Sequence, residues 1–353
     1  MVHKIIINFW QPYTAIYRYA QILSGIPNTQ VINIVDDKVK WATPHLGTDF
    51  NGRYNNFKFN TLFPFTGHRD VTNYLKSISK DDVVFHYISQ RDILFYNNNR
   101  VLFTVHDNPF AQFKSNLYFN NRRFAEKLSK QLDKHFFNKY AMKSETITVN
   151  TNHVKKSLIE WGYKGSISVI NLPVSESFYS IGEDKGTIRK ELNLPVNKIL
   201  ILSISNNVYR KNLEAVRKLN DLLPDEYEII RVGNPIGNKI TYQNINDDLL
   251  NKLYNACDLL LFPTLEEGQG LPIIEAFKTG LPVVASDIEV LREVTNNNAA
   301  FADPFNINSI YEAIKEALNR KEELSRNGIG EAKKYSFEIF KYKMEALYES
   351  ICR

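Results

Sequence analysis

Short apolar runs alternate with amphipathic stretches along most of this chain. Runs at 4–8, 31–35, 83–87, 101–105 and 146–150 predict strands, and 15–23 predicts a helix between the first two. Such alternation specifies an α/β fold, a largely parallel sheet with helices on its faces. Ligands then collect at the carboxyl ends of the strands, where 8–12, His86 and 106–109 fall. A polar, turn-rich segment at 171–186 marks the passage into a second domain. Beyond it the pattern predicts a helix at 187–192, a strand at 198–204, a helix at 210–222, a strand at 227–232 and a helix at 247–255. Helices are also expected at 307–318 and 321–334. A last one, at 335–351, carries an apolar face of Phe337, Phe340, Met344, Leu347 and Tyr348. Two α/β domains facing each other across a cleft are the economical arrangement.

The segment 259–286, LLLFPTLEEGQGLPIIEAFKTGLPVVAS, organises the second half. Leu259, Leu260 and Leu261 begin a buried strand that Pro263 ends. A loop leads to Pro272, which suits the first turn of a helix because its missing N–H is not needed there. Gly280 stops that helix before a second strand at 283–285. The helix start offers free N–H groups and a positive dipole end to a phosphate, and Gly268 and Gly270 allow close approach to the backbone. Glu267 in the loop and Glu275 in the helix accept hydrogen bonds from hydroxyls. Hydroxyl, phosphate, hydroxyl is the order presented by a nucleotide sugar.

Composition narrows the partners less than the motif does. At 353 residues and 43% hydrophobic content, the chain can bury two cores and is globular. Its two cysteines, Cys257 and Cys352, form neither a disulfide framework nor a metal pattern, which fits a reducing compartment. Residues 1–10 read as a first strand rather than a signal segment, and no apolar run has the length of a spanning helix. A net charge of +5 is compatible with anionic substrates, nucleic acid or an anionic bilayer and does not choose among them.

Three further groups are candidates for chemistry. Arg210 and Lys211 follow a strand near a predicted helix start, where cations are disfavoured unless an anion is present. They are either solvated surface charges or ligands for a diphosphate, one as a fork and one as a point charge. His106 follows the strand at 101–105 and is either a ligand for a sugar hydroxyl or a satisfied structural residue. Trp10 and Tyr13 can stack on a sugar ring or pack in the core, and His86 is structural or acceptor-side. The segment 113–143 carries Arg122, Arg123, Lys127, Lys130, Lys134, Lys139 and Lys143 among aromatics and leucines. It is either a solvated cationic face or a surface for an anionic membrane.

The string EGQGLPIIEA at 267–276 resembles the donor signature E-G-x-G-L-P-x-x-E-A of the retaining glycosyltransferases of family 4, with Gln269 between the glycines. The likeness covers most of the chain from about residue 149 onward, including SVINLPVSESF at 168–178 and YSFEIF near 335. It implies the GT-B architecture: two Rossmann-like domains with parallel sheets, at 1–172 for the acceptor and 173–335 for the donor. The last helix, 336–353, would cross back to the first domain. It also implies a metal-independent, retaining transfer of a sugar from a nucleotide diphosphate sugar to a glycan or lipid-linked glycan, with no cofactor. Glu267, Lys211, Arg210 and His106 would be catalytic. Glu275, Gly268, Gln269, Gly270, Leu271 and Asn206 would bind donor, Asn206 standing where the family spaces its arginine. The loop at 9–14 lacks the family's paired glycines, so Trp10, Tyr13 and His86 are the acceptor-side expectations. The location implied is cytoplasmic, peripheral at the inner membrane face. A nucleotide-sugar 2-epimerase, which shares the architecture, and a non-catalytic glycan- or nucleotide-binding protein remain alternatives. An oxidoreductase is disfavoured because no G-x-G-x-x-G follows a strand, and nucleic-acid binding has only net charge behind it.

Overall fold

The computed structural model describes residues 2–8, 15–35, 38–42, 83–89, 100–114, 124–237 and 239–353. Its first sheet has the order β3-β2-β1-β4-β5-β6-β7. These strands are β1 (His3–Asn8), β2 (Thr29–Val35), β3 (Lys38–Ala42), β4 (Val83–Tyr87), β5 (Val101–Val105), β6 (Thr146–Val149) and β7 (Ser166–Val169). All pairings are parallel except that of β2 with β3. The second sheet, wholly parallel, has the order β10-β9-β8-β11-β12-β13. Its strands are β8 (Ile199–Ser205), β9 (Tyr227–Gly233), β10 (Thr241–Tyr242), β11 (Leu259–Phe262), β12 (Val283–Ser286) and β13 (Ala300–Ala302).

Central strands are the apolar runs of the sequence because helices cover both faces of a parallel sheet. Every residue of β4, β5, β11 and β12 is buried. Each leucine or isoleucine sequestered this way contributes about 1.5–3 kcal/mol before entropy is counted. Edge strands escape the pattern for the complementary reason. In β7, SISV, no residue is fully buried, so its sequence alternates weakly and gives no strand signal. The helix Asn152–Trp161 is likewise absent from the sequence expectation, although Thr151 caps its start and left-handed Gly162 its end.

One helix boundary differs in a way that matters for the site. The predicted helix at 210–222 is divided into a 3-10 turn, Tyr209–Lys211, and a helix, Leu213–Leu222. Asn212 breaks it with φ 52, a left-handed conformation that asparagine tolerates. Arg210 and Lys211 therefore sit on a separate turn ahead of the helix.

The chain changes domains between Leu172, which packs in the first core, and Val174, which packs in the second. It returns through the helix Phe337–Cys352. Phe340, Met344, Leu347 and Tyr348 lie on one face of that helix and pack with Ile6, Tyr19, Leu23 and Val84 of the first domain. Among the described residues no helix is long and apolar enough to cross a membrane.

Candidate functional site

In each sheet the strand order reverses once near its middle, at β1/β4 and at β8/β11. Loops leaving adjacent strands on opposite sides of such a point open a crevice, the usual ligand site of an open parallel sheet. In the second sheet those loops are 206–211, after β8, and 263–270, after β11.

Thr264 Oγ1 and the Leu265 N–H both donate to the Arg210 carbonyl, at 2.8 and 2.7 Å, so the two loops are stitched together. Arg210 Nη1 reaches the Glu266 carbonyl at 3.0 Å and Glu267 Oε1 at 2.9 Å. Lys211 Nζ donates to the same Glu267 oxygen, and Thr264 Oγ1 reaches it at 3.2 Å. Among the described residues no donor reaches Oε2. Burial works to raise the Glu267 pKa, but the Arg210 and Lys211 charges and their hydrogen bonds outweigh it and hold the carboxyl below its ordinary value. Burial pushes the Lys211 ammonium down, with Glu267 opposing. Half-buried Arg210 and Lys211 and buried Glu267 thus form one charged cluster, with the Asp107 carboxylate also acting on Lys211.

The helix Leu271–Thr279 begins directly after this loop, with left-handed Gly270 as its N-cap and no side chain capping the free N–H groups. Glu275, inside that helix, accepts from Tyr254 Oη at 2.6 Å. Burial pushes Glu275 up to about 7, against the Tyr254 hydrogen bond and the charge of Arg18 from the first domain. Arg18 itself pairs with Asp247 across the domains.

The first domain closes over the loop. A Cβ placed on Gly268 would lie 1.9 Å from the His106 carbonyl oxygen and 3.3 Å from Asp107 Oδ1, so only glycine fits. Thr151 Oγ1 donates to the Gly268 carbonyl at 3.0 Å. The N–H groups of Asn152 and His153, at the start of their helix, donate to the Glu293 carboxylate at 2.7 and 2.9 Å. His153 Nε2 meets Glu266 at 3.1 Å.

Not every expected residue faces the crevice. Gln269 is buried and its amide is engaged at both ends: it accepts from the Leu172 N–H at 2.7 Å and donates to the Leu172 carbonyl at 2.9 Å. An amide can pair in this way with the N–H and C=O of a single residue, so its side chain clamps the loop to the interdomain passage. The His106 ring is likewise engaged at both nitrogens, Nε2 with the Ile88 carbonyl at 2.8 Å and Nδ1 with Asn150 at 2.9 Å. A neutral ring donating from Nε2 satisfies both, and what His106 presents to the other domain is its carbonyl. His86 belongs to the core rather than to an acceptor surface. It is fully buried, with Nε2 against Thr104 Oγ1 at 2.6 Å and Nδ1 against Tyr348 Oη at 2.7 Å. Burial pushes its pKa down to about 3. Asn206 is exposed just past the end of β8, and Leu271 opens the helix. Trp10 and Tyr13 lie outside the described residues, as do Arg122 and Arg123. Of the remaining basic segment, Lys130 is buried and Lys134 stacks over Trp161 at 5.8 Å. Asp107, Thr264 and Tyr254 are not anticipated by the sequence; hydroxyls and a lone aspartate carry no spacing signal.

Residues 184–335 match the family of glycosyl transferases group 1. Two curated relatives are O-antigen or serotype-specific enzymes. The serotype-specific mannosyltransferase WbdA of Escherichia coli is 27% identical over 225 residues, covering 55% of this chain and 27% of its own length. The O-antigen chain mannosyltransferase RfbU of Salmonella typhimurium is 27% identical over 243 residues, covering 63% of this chain and 62% of that protein. The match to WbdA thus spans about a quarter of that relative. Among solved structures, HepE of Anabaena in complex with UDP and glucose superposes with a TM-score of 0.73 at 13% identity, covering 99% of this chain and 100% of that one. The fold is that of a GT-B protein, and residues 184–335, in its second domain, are similar to the glycosyl transferases group 1 family.

Proposed function

We propose that this chain is a retaining, metal-independent glycosyltransferase that moves a sugar from a nucleotide diphosphate sugar to a glycan hydroxyl. The observation that carries the reading is the convergence of Arg210, Lys211 and Glu267 at the β8/β11 reversal, beside an uncapped helix start. Two adjacent cations, one a fork and one a point charge, suit a diphosphate leaving group, whose charge grows as the glycosidic bond breaks. Glu267 Oε2 is available to a hydroxyl of the donor sugar, and Glu275 to a ribose hydroxyl. Backbone N–H groups of 268–271 support the phosphate. The anomeric carbon–phosphate oxygen bond breaks while the acceptor oxygen bonds to the same face. The acceptor proton passes to the departing phosphate oxygen.

The names of the mannosyltransferase relatives support mannose as the first sugar to test and an O-antigen chain as the acceptor. The UDP held by HepE supports a nucleoside diphosphate as the leaving group. With a lipid-linked acceptor, a peripheral site at the inner membrane face, through the basic segment, follows. The test is a panel of GDP-, UDP-, ADP- and dTDP-sugars. Donor binding is read as a rise in Tm, followed by transfer to glycan acceptors with and without a chelator. Retention of the anomeric configuration and chelator-insensitive transfer are expected. Binding with no transfer to any acceptor, or epimerisation of the free nucleotide sugar, would replace this reading with one of its rivals.

A further inference from the structure

The helix Asn152–Trp161 opens with the wrong charge for its dipole. Its first turns carry His153, Lys155 and Lys156 and no acid, although cations are disfavoured at a helix N-terminus. The compensation comes from the other domain. The Glu293 carboxylate accepts from the Asn152 N–H at 2.7 Å, the Asn152 side-chain amide at 3.0 Å and the His153 N–H at 2.9 Å. Lys156 Nζ pairs with Glu289 at 3.2 Å. Thr151, the N-cap, donates to the Gly268 carbonyl. Thr151, Asn152 and His153, consecutive in the first domain, thus each hold the second.

The His153 ring is the charged part of this contact. Its side chain is 16% exposed, and both nitrogens face carboxylates: Nε2 stands 3.1 Å from Glu266 Oε1 and Nδ1 3.4 Å from Glu289 Oε2. A neutral imidazole donates from one nitrogen only, so the imidazolium alone satisfies both. Around it lie the Asn108 amide nitrogen, 3.4 Å from Nε2, and Lys156 of its own helix, which shares Glu289. On the facing helix Glu293 takes the His153 N–H, and Arg292 turns to Asp287. Glu266 and Glu289 hold the His153 pKa above its ordinary value in spite of burial. Glu266 also precedes Glu267, and its carbonyl accepts from Arg210 Nη1 at 3.0 Å. The loop is therefore gripped at one residue from both domains, its side chain by His153 and its carbonyl by Arg210.

We propose that His153 is a positioning residue: as the imidazolium it latches the first domain to Glu266 and Glu289 and so fixes Glu267, a grip that loosens when the ring loses its proton. The inference rests on the donor-site reading above. The latched form binds the proton more tightly than the open one, so closure is firm at acidic pH and weakens as pH rises through the raised pKa.

The test follows hydrogen exchange of segments 151–154 and 264–268 in the full chain between about pH 6 and about pH 8.5, as protection over the intrinsic rate. Wild type, H153Q, E266Q and the double variant are compared, with kcat for sugar transfer measured alongside. Wild type is expected to lose about tenfold in protection and in kcat across this range, and H153Q to show the weak, alkaline level throughout. Glu275 titrates in the same range; its share remains in H153Q, so the difference between the two proteins belongs to His153. E266Q should resemble H153Q, and the double variant should add little to either, as one coupled pair requires. Equal profiles for wild type and H153Q overturn the proposal. So does a loss of the same size at every pH, or additive losses in the double variant, which mark packing alone. Lost protection with kcat unchanged overturns the positioning role. If H153Q does not fold, E266Q decides: a flat, weak profile supports the latch, and a wild-type profile overturns it. A chain that transfers no sugar fails the donor reading instead, while exchange still decides the latch.

Discussion

Polar residues are buried at the carboxyl edges of both sheets, yet the two domains use them in opposite ways. In the first domain His86, Thr104 and Tyr348 pair off as neutral partners, and His106 is held between Ile88 and Asn150. Donors and acceptors balance and no charge is left. In the second domain Arg210 and Lys211 crowd one oxygen of the Glu267 carboxylate with two cations. Neutral, saturated networks rigidify a core. A charged cluster at a crevice is instead a candidate ligand site, since perturbed charges gather where function needs them. The contrast separates histidines already paired in the core from charged residues gathered at the β8/β11 reversal.

The strongest challenge to this contrast is to empty the charged cluster. Glu267→Ala or Lys211→Ala should lower the transfer rate about 100- to 1,000-fold, the range for removing a group that stabilises developing charge. Near-wild-type kcat in both variants would end the assignment. Next comes the contact between the two regions. Gly268→Ala drives a methyl into the His106 carbonyl and should cost about 100-fold in kcat by displacing the closed geometry. Nucleoside diphosphate binding to the second domain should be largely kept, and rates equal to wild type would mean that this closure is not needed.

Glu275 sharpens the comparison through pH. Its folded pKa, about 7, lies above the ordinary carboxyl value because of burial, so the fold favours the protonated form. The associated stability is present below the unfolded pKa and is lost as pH rises through about 7. Relative to wild type, Glu275→Gln should therefore gain about 1–3 kcal/mol between acidic and mildly alkaline pH, seen in urea unfolding. A constant difference across that range would mean that Glu275 does not titrate there. The smallest effect is expected in the neutral network. Tyr348→Phe strands His86 Nδ1 and should cost about 1 kcal/mol of stability, with kcat of the folded protein unchanged. A fall in kcat of the size seen for Glu267→Ala would erase the distinction between the two regions.

Legibility in the sequence follows the same division. The fold can be read because parallel central strands are buried on both faces and so appear as unbroken apolar runs. Strands β4 and β5 coincide with their predicted limits. Edge strands such as β7 cannot, since one-sided burial leaves a polar sequence. In the candidate site, Glu267, Gly268 and Glu275 stand out because a strand, a glycine loop and a proline-led helix give local spacing. The partners of His86, His106 and Gln269 come from segments 18 or more residues away, and only their geometry shows that these side chains are already occupied.

By itself, then, the sequence determined the α/β rhythm, the second domain's glycine loop and the chemistry of the groups on it, all properties of short contiguous segments. Tertiary structure decided which of those groups are free to meet a ligand. A hydrogen-bonding side chain has a limited number of donors and acceptors, and whether they are already used depends on residues brought from elsewhere in the chain.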